Sequence, residues 1–300
     1  MNLFFQKIKN SFYELSFLLI FLILCTYFYS SFRLVLVDGW AFNELFINYS
    51  AGIIRRGLLG SIFIFFNKTH EINALFFFSS IFLILYLIQI ILYYFILKKY
   101  KKNSLFLLII FSPALILFNF YDINTYYVKD IFVNLTILIH CFYLIKFQKN
   151  FNLDKYKKFI FFVILPLLVL NILNHELQFF FIGVHLLLTI YIFEKKKIFN
   201  KKILYSYSII LLPILILVLN PGSWEKLDII NNSIRSFDAT ANNQLAGNLN
   251  LAIGGFIKWH FFYQDIDNFI NFFLCFILSI VLFFVVFNYL IEKDIVKLNY

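Results

Sequence analysis

Of the 300 residues, 62% are hydrophobic and only 14% are charged, against roughly half apolar and a quarter charged in soluble domains, so a water-soluble core is excluded. The formal net charge of +10 would suit a nucleic-acid binder, but the lysines fall in short clusters between apolar runs and not along one polar face, which excludes that class too. Cys25, Cys141 and Cys275 lie far apart inside apolar runs without C-x-x-C spacing, which argues against a disulfide framework or a thiolate metal site and leaves small core residues.

The chain opens with Lys7 and Lys9 followed by an apolar run over 16–37. That run is about twice the length of a signal-peptide core and lacks a small-x-small cleavage site, so it reads as a retained first spanning helix. Further runs follow at 74–97, 104–120, 131–145, 159–174, 177–193, 203–219 and 269–291. Taken as helices they span, or nearly span, roughly 30 Å of hydrocarbon. The expected fold is therefore all-α: a polytopic transmembrane bundle of about eight helices forming one transmembrane domain over 1–300, with no soluble domain, solenoid repeat or heptads.

Every second connection is lysine-rich: Lys98 to Lys102, Lys146 to Lys158, Lys195 to Lys202, and Lys293 with Lys297. By the positive-inside rule these segments and Lys7 with Lys9 are cytoplasmic, which puts both termini inside. They hold 18 of the 26 basic residues, all lysine, and every arginine (Arg33, Arg55, Arg56, Arg235) falls on the outer side. Outward arginine runs against the charge rule, and its planar fork suits phosphate and carboxylate.

Two outer loops are long. In 38–73, Phe42, Leu45, Phe46, Tyr49 and Ile53 recur at helical spacing with polar residues between, as in an amphipathic helix lying along the interface after the first span. Loop 220–268 begins with the turn signal Asn220-Pro221-Gly222 and continues through an Asn-rich polar stretch to Trp259, His260 and Tyr263, residues suited to an interfacial belt. Two outer connections are short. Lysine-rich flanks on both sides make 159–193 a tight hairpin of two short arms turning at His175-Glu176. Residues 131–145 would give only about 22 Å of helix, which draws both this turn and the loop 121–130 toward the hydrocarbon edge.

Four constellations carry possible chemistry. Asp38, Glu44, Arg55 and Arg56 could supply a general base for a sugar hydroxyl and an arginine pair for a lipid-linked phosphate. The plain alternative is a helix cap with lipid-anchoring arginines. Lys129-Asp130 with Asp122 could hold a phosphate beside a carboxylate, or simply pair internally, since ionisable groups near the hydrocarbon are costly alone. His175-Glu176 could act as acid–base pair or metal ligands, or close the turn by a hydrogen bond. It is not a zincin motif, because Phe179 stands where a second His would be needed. Asp265-Ile266-Asp267 could hold a divalent metal, but two carboxylates before the last run also suit a helix start. His140 and His185, inside apolar runs, read as satisfied core histidines. Walker A, G-x-G-x-x-G and G-x-S-x-G patterns are absent from the sequence.

A carboxylate just after helix one, an interfacial helix, short charged outer loops and a larger late outer loop together resemble polytopic glycosyltransferases of the GT-C type. The stretch Asn48-Tyr49-Ser50-Ala51-Gly52-Ile53-Ile54-Arg55-Arg56-Gly57-Leu58-Leu59-Gly60, with Lys129-Asp130 and His175-Glu176, also resembles bacterial membrane proteins of surface-polysaccharide synthesis. The resemblance implies a multi-pass protein of the bacterial cytoplasmic membrane, a glycosyltransferase or glycan polymerase using a polyprenyl-phosphate-linked sugar on the extracytoplasmic face. It implies Asp38 as catalytic base, with Glu44 as second choice. Asp38-Gly39 departs from the acidic pair found in some members. Expected partners are membrane lipid and the lipid-linked sugar, not nucleic acid; a divalent metal is the one cofactor to consider. A transporter or lipid-linked glycan flippase without catalytic activity is the other reading, and a structural assembly subunit a third.

Overall fold

The computed structural model describes residues 2–33, 40–54, 56–98, 126–147, 149–220 and 223–235. The expected spans at 104–120 and 269–291, and the Asp265-Ile266-Asp267 triplet, lie outside these residues, as do Asp38, Arg55 and Asp122. Long apolar runs form helices here because, away from water, each backbone N–H must find a carbonyl within its own segment. Among the described residues there is helix and turn and no strand.

Helix α1 covers Asn2–Arg33. A short helical turn α2 (Trp40–Asn43) leads into 3-10 turns at Glu44–Phe46 and Tyr49–Ala51, then α3 (Leu58–His70) and α4 (Ala74–Lys98). Helix α5 is Asp130–Phe147 and α6 is Leu153–Asn174. A 3-10 turn at Glu176–Phe181 precedes α7 (Ile182–Lys196). Two short helices, α8 (Lys201–Ser206) and α9 (Leu211–Leu219), join through a 3-10 turn, and α10 covers Trp224–Arg235.

Irregularities fall next to proline. Pro166 cannot donate to the carbonyl four residues back and its ring crowds that oxygen. Helix α6 widens into a π turn at Ile160–Ile164 immediately before it. Pro213 similarly follows the 3-10 turn Tyr207–Ile210 that separates α8 from α9.

Five helices are long and apolar enough to cross a membrane: Tyr13–Ser30 within α1, Ala74–Lys98, Asp130–Phe147, Leu153–Asn174 and Gln178–Lys196. Each has one face in the protein and one outside it. On α1, Tyr13, Phe17, Ile20 and Leu24 are buried while Leu15, Leu18 and Leu22 are exposed. On α4, Phe78, Phe82 and Tyr86 are buried while Ile84, Ile88, Ile91 and Phe95 are exposed. Such wide apolar outer faces would be intolerable in water, and they mark the chain as a membrane protein.

The stretch 159–193 is divided as expected into two helices, but the first arm is longer than the sequence suggested. Helix α6 begins at Leu153, ahead of Lys155, Lys157 and Lys158, and its 22 residues give about 33 Å. Length therefore no longer draws the His175 turn into the hydrocarbon. The same holds for α5, whose 18 residues give about 27 Å.

Two apolar clusters form the interior. One joins α1, α3, α4, the segment 41–54, the start of α5 and one face of α10. The other joins the end of α5 with α6, α7, α8 and α9. Helix α5 thus belongs to both. Cys25 is exposed on α1 and Cys141 is half-buried, both as free thiols, so Cys25 at least is not a core residue.

Candidate functional site

The segment from Phe42 to Ile53 was expected to lie along an interface with its polar residues outward. Instead Asn43, Glu44 and Asn48 are buried together with Phe42, Leu45 and Phe46. Apolar spacing alone did not reveal that both sides of this segment are covered. Asn48 organises the turn: its side-chain oxygen accepts from the Ser50 N–H (2.9 Å), and its amide donates to the Phe46 carbonyl (3.0 Å) and to Ser233 Oγ (3.1 Å). Ser61 Oγ accepts from the Tyr49 N–H at 2.8 Å and donates to the Gly57 carbonyl at 2.7 Å.

The glycines of this stretch have separate reasons. Gly52 sits at φ 91°, where a side chain is strained. Gly60 lies against the chain it packs on: a Cβ there would meet the Ile47 carbonyl and stand 2.8 Å from the Leu45 carbonyl oxygen. Gly60→Ala is therefore expected to cost about 1–3 kcal/mol or more by overpacking. Gly183→Ala in α7, where a Cβ meets nothing within 4 Å, should be neutral or stabilising by up to about 1 kcal/mol. Thermal unfolding of the two variants in nanodiscs checks this; equal melting temperatures would refute the close approach at Gly60.

Helix α10 packs on the Tyr49–Ala51 turn and buries Leu227, Ile230 and Ile234. It falls where the sequence suggested an Asn-rich loop. Its signals were a Ser223 cap, whose Oγ accepts from the Lys226 N–H at 3.2 Å, and three apolar residues at helical spacing.

Arg56 is one of three described non-glycine residues at positive φ (65°), a conformation that costs a side-chain-bearing residue free energy unless its surroundings compensate. Here both its ends are held. Its Nη1 lies 3.3 Å from Glu44 Oε1, and its carbonyl accepts from Lys129 Nζ at 3.2 Å. Lys129 Nζ also donates to the Glu44 carbonyl (3.3 Å) and lies 3.4 Å from Glu44 Oε1. Three oxygens thus surround an ammonium group that has three protons to give. Glu44, Arg56 and Lys129 are 5%, 4% and 3% exposed. Both ion-pair distances exceed the 2.7–2.9 Å typical of charge-assisted hydrogen bonds, so Glu44 Oε1 sits between its two cations without closing fully on either.

Asp130, half-buried at the start of α5, interacts electrostatically with both Glu44 and Arg56. From the other side, Gln178 Nε2 donates to the Lys129 carbonyl at 2.9 Å. This ties in the turn after α6. His175 has extended backbone there; its N–H donates to the Asn171 carbonyl at 2.8 Å and its carbonyl accepts from the Gln178 N–H at 3.1 Å. Glu176 opens the 3-10 turn itself. Of the expected site residues, Glu44, Arg56 and Lys129 therefore touch directly with Asp130 beside them, and the His175-Glu176 turn is linked to them through Gln178.

Sequence reasoning passed over a group of uncharged amides at this end. Asn171 Nδ2 donates to Thr136 Oγ1 (2.9 Å) and approaches the Phe132 carbonyl (3.4 Å). Asn174 and Gln178 are buried, and among the described residues no group pairs with either polar atom of the Asn174 amide or with Gln178 Oε1. Tyr49 likewise buries its hydroxyl without a partner among the described residues, and burial pushes its phenol up to about 12, so it stays a neutral donor. The available signal was Asn171 and Asn174, three apart on an apolar helix, where polar side chains are costly and hence informative.

His140 and His185 lie elsewhere, in the second cluster. Both rings are fully buried, with Nδ1 to Nδ1 at 3.0 Å. His140 Nε2 meets Tyr156 Oη at 2.9 Å, Tyr156 Oη meets Thr189 Oγ1 at 3.0 Å, and Thr189 Oγ1 meets Tyr207 Oη at 3.1 Å. This chain binds α5, α6, α7 and the turn before α9.

Among the described residues no three His, Cys, Asp or Glu side chains converge as metal ligands would. Comparison with protein-family models, with curated proteins and with solved structures gave no match.

Proposed function

We propose that the chain is a glycosyltransferase or glycan polymerase of the bacterial cytoplasmic membrane that uses a polyprenyl-phosphate-linked sugar on the extracytoplasmic face. The observation that carries this reading is the buried Glu44–Arg56–Lys129 cluster, drawn from the loop after α1 and the start of α5. Lysine bias places those segments outside, with both termini in the cytoplasm. Buried charge of this density is expensive and is commonly kept where chemistry needs it.

The parts divide the work. Lys129 clips two carbonyls and adds positive charge, while the Arg56 fork, with five N–H donors, holds Glu44 and a phosphate oxygen together. Arg55 and Asp122, which lie outside the described residues, are assigned to the same phosphate-binding role. Glu44, with two cations near one oxygen, orients them, which leaves Asp38 as base. In the transfer step the acceptor hydroxyl oxygen bonds to the anomeric carbon. The bond from that carbon to the phosphate oxygen breaks, its electron pair leaves on the phosphate, and the hydroxyl proton passes to Asp38. His175 helps order the departing phosphate. A transport route would instead need a wet path past His140, whose ring is fully buried with both nitrogens engaged.

The test is turnover in nanodiscs with polyprenyl phosphate carrying glucose, mannose or N-acetylhexosamine and a glycan acceptor. The wild type is expected to release polyprenyl phosphate, and Asp38→Asn to bind the donor without transfer. Failure of the wild type to bind any of these lipids, or full turnover by Asp38→Asn, overturns the reading or its base.

A further inference from the structure

We infer that Asn174 and Gln178 form a sugar-recognition subsite beside the phosphate-binding cations, and so select the donor. This rests on the glycosyl-transfer reading above and adds to it the residues that read the sugar.

Asn174 and Gln178 are each 2% exposed. Among the described residues, neither the Asn174 Nδ2 and Oδ1 atoms nor Gln178 Oε1 has a partner. Buried amides are normally satisfied, and each exception calls for an explanation. Their neighbours show that the fold can satisfy amides here. Asn171, one turn earlier on α6, pairs with Thr136 and the Phe132 carbonyl, and Gln178 Nε2 pairs with the Lys129 carbonyl. What is left over is one donor and two acceptors, all uncharged and placed where α6 turns toward the charged cluster.

The chemistry of that leftover set is specific. A carboxylate or phosphate would be repelled by two carbonyl oxygens. A hydroxyl both donates and accepts, and an amide offering one N–H face and one oxygen matches a pair of adjacent hydroxyls, or a hydroxyl beside an acetamido group. The location fits as well. Gln178 is bonded to the carbonyl of Lys129, whose ammonium lies 3.4 Å from Glu44 Oε1, so a lipid phosphate at the cations would bring its sugar to the amides. Sites built to hydrogen-bond a substrate hydroxyl discriminate far more strongly than apolar ones, because the wrong ligand leaves buried groups unpaired.

This assignment separates from a structural role by sign. An amide that serves the fold is satisfied in the folded state, and replacing it lowers stability. One that serves a ligand is a burden on the empty protein, and an apolar replacement of similar shape leaves stability unchanged or raises it. In nanodiscs, Asn174→Leu and Asn174→Ser are expected to melt at or above the wild-type temperature. For the best-bound sugar-bearing polyprenyl phosphate, both should show a dissociation constant raised about ten-fold or more, while sugar-free polyprenyl phosphate binds as to the wild type. A drop of several degrees in both variants, equal weakening of sugar-bearing and sugar-free lipid, or a wild type indifferent to the sugar would each overturn the subsite while leaving the phosphate site standing. A wild type that binds neither lipid removes the glycosyl-transfer reading, and the subsite with it.

Discussion

Glu44→Gln, which keeps the shape of the side chain and removes its charge, is expected to destabilise the protein by about 3–5 kcal/mol, the usual cost of leaving a buried counter-charge uncompensated. The expectation is large because Glu44 serves two cations: Arg56 Nη1 at 3.3 Å and Lys129 Nζ at 3.4 Å from the same oxygen. In the variant an amide that itself carries an N–H faces both. The double variant Glu44→Gln/Arg56→Gln is then expected to be more stable than the single one, by about 1–2 kcal/mol, since residues in one ion-pair network are not additive. Lys129 keeps the carbonyls of Glu44 and Arg56 in that background. Denaturant or thermal unfolding in nanodiscs measures both. A double variant less stable than Glu44→Gln would show that the guanidinium contributes by packing and its own hydrogen bonds, and would sink the account of Glu44 as the shared anion.

The same cluster shows which parts of the site sequence could reveal. Arg56 stood out because outward arginine opposes the orienting bias, and Lys129 because a charge near the bilayer needs a reason. Their convergence on Glu44 was not readable, since 85 residues separate Glu44 from Lys129 and no local pattern encodes a contact at that range. Depth was the wrong ground for the His175 turn. Helix α6 begins before its lysines, so burial within the protein, not shortness of the helix, makes polar groups at this turn costly. Asn174 and Gln178 gave a weaker signal than the charged residues, because an uncharged amide opposes no charge rule and only its polarity beside an apolar run marks it. Helix α10 was hidden by polar composition: three apolar residues, Leu227, Ile230 and Ile234, suffice to dock it on the first cluster. Apolar runs, by contrast, were legible at five of the expected spans, because in lipid both the helix and its length follow from the solvent, whereas the run 203–219 is divided at the 3-10 turn Tyr207–Ile210.

Removal of either ring from the His140–His185 pair is expected to cost about 2–5 kcal/mol, and proton counting says why. Thr189 has one hydroxyl proton, given to the His185 carbonyl at 2.9 Å. Its oxygen must then accept from both Tyr156 and Tyr207. With its own proton so placed, Tyr156 accepts from His140 Nε2–H, and a neutral His140 is left with a bare Nδ1 that accepts from His185 Nδ1–H. Each shared proton is committed by its neighbour, with His185 Nε2 left buried and without a partner among the described residues, so deleting His140 strands His185 Nδ1–H and one acceptor site on Tyr156 where water is scarce, at about 1–3 kcal/mol for each unsatisfied group. A cavity adds to that cost. His185→Ala strands only the His140 nitrogen and should cost less. The double variant should cost less than the sum by about 1 kcal/mol or more, since the second substitution removes a group already stranded. Additive losses in nanodisc unfolding would mean that the rings pack without exchanging a proton. The lock also bears on the site, because α5 is one helix from Asp130 to Phe147. Ten residues, about 15 Å of rise, separate His140 from the end that Glu44 and Arg56 hold, so the two polar groups pin a single rod at different heights. Loosening the lower pin should reduce stability far more than it reduces affinity for sugar-free polyprenyl phosphate, whose proposed ligands it does not touch.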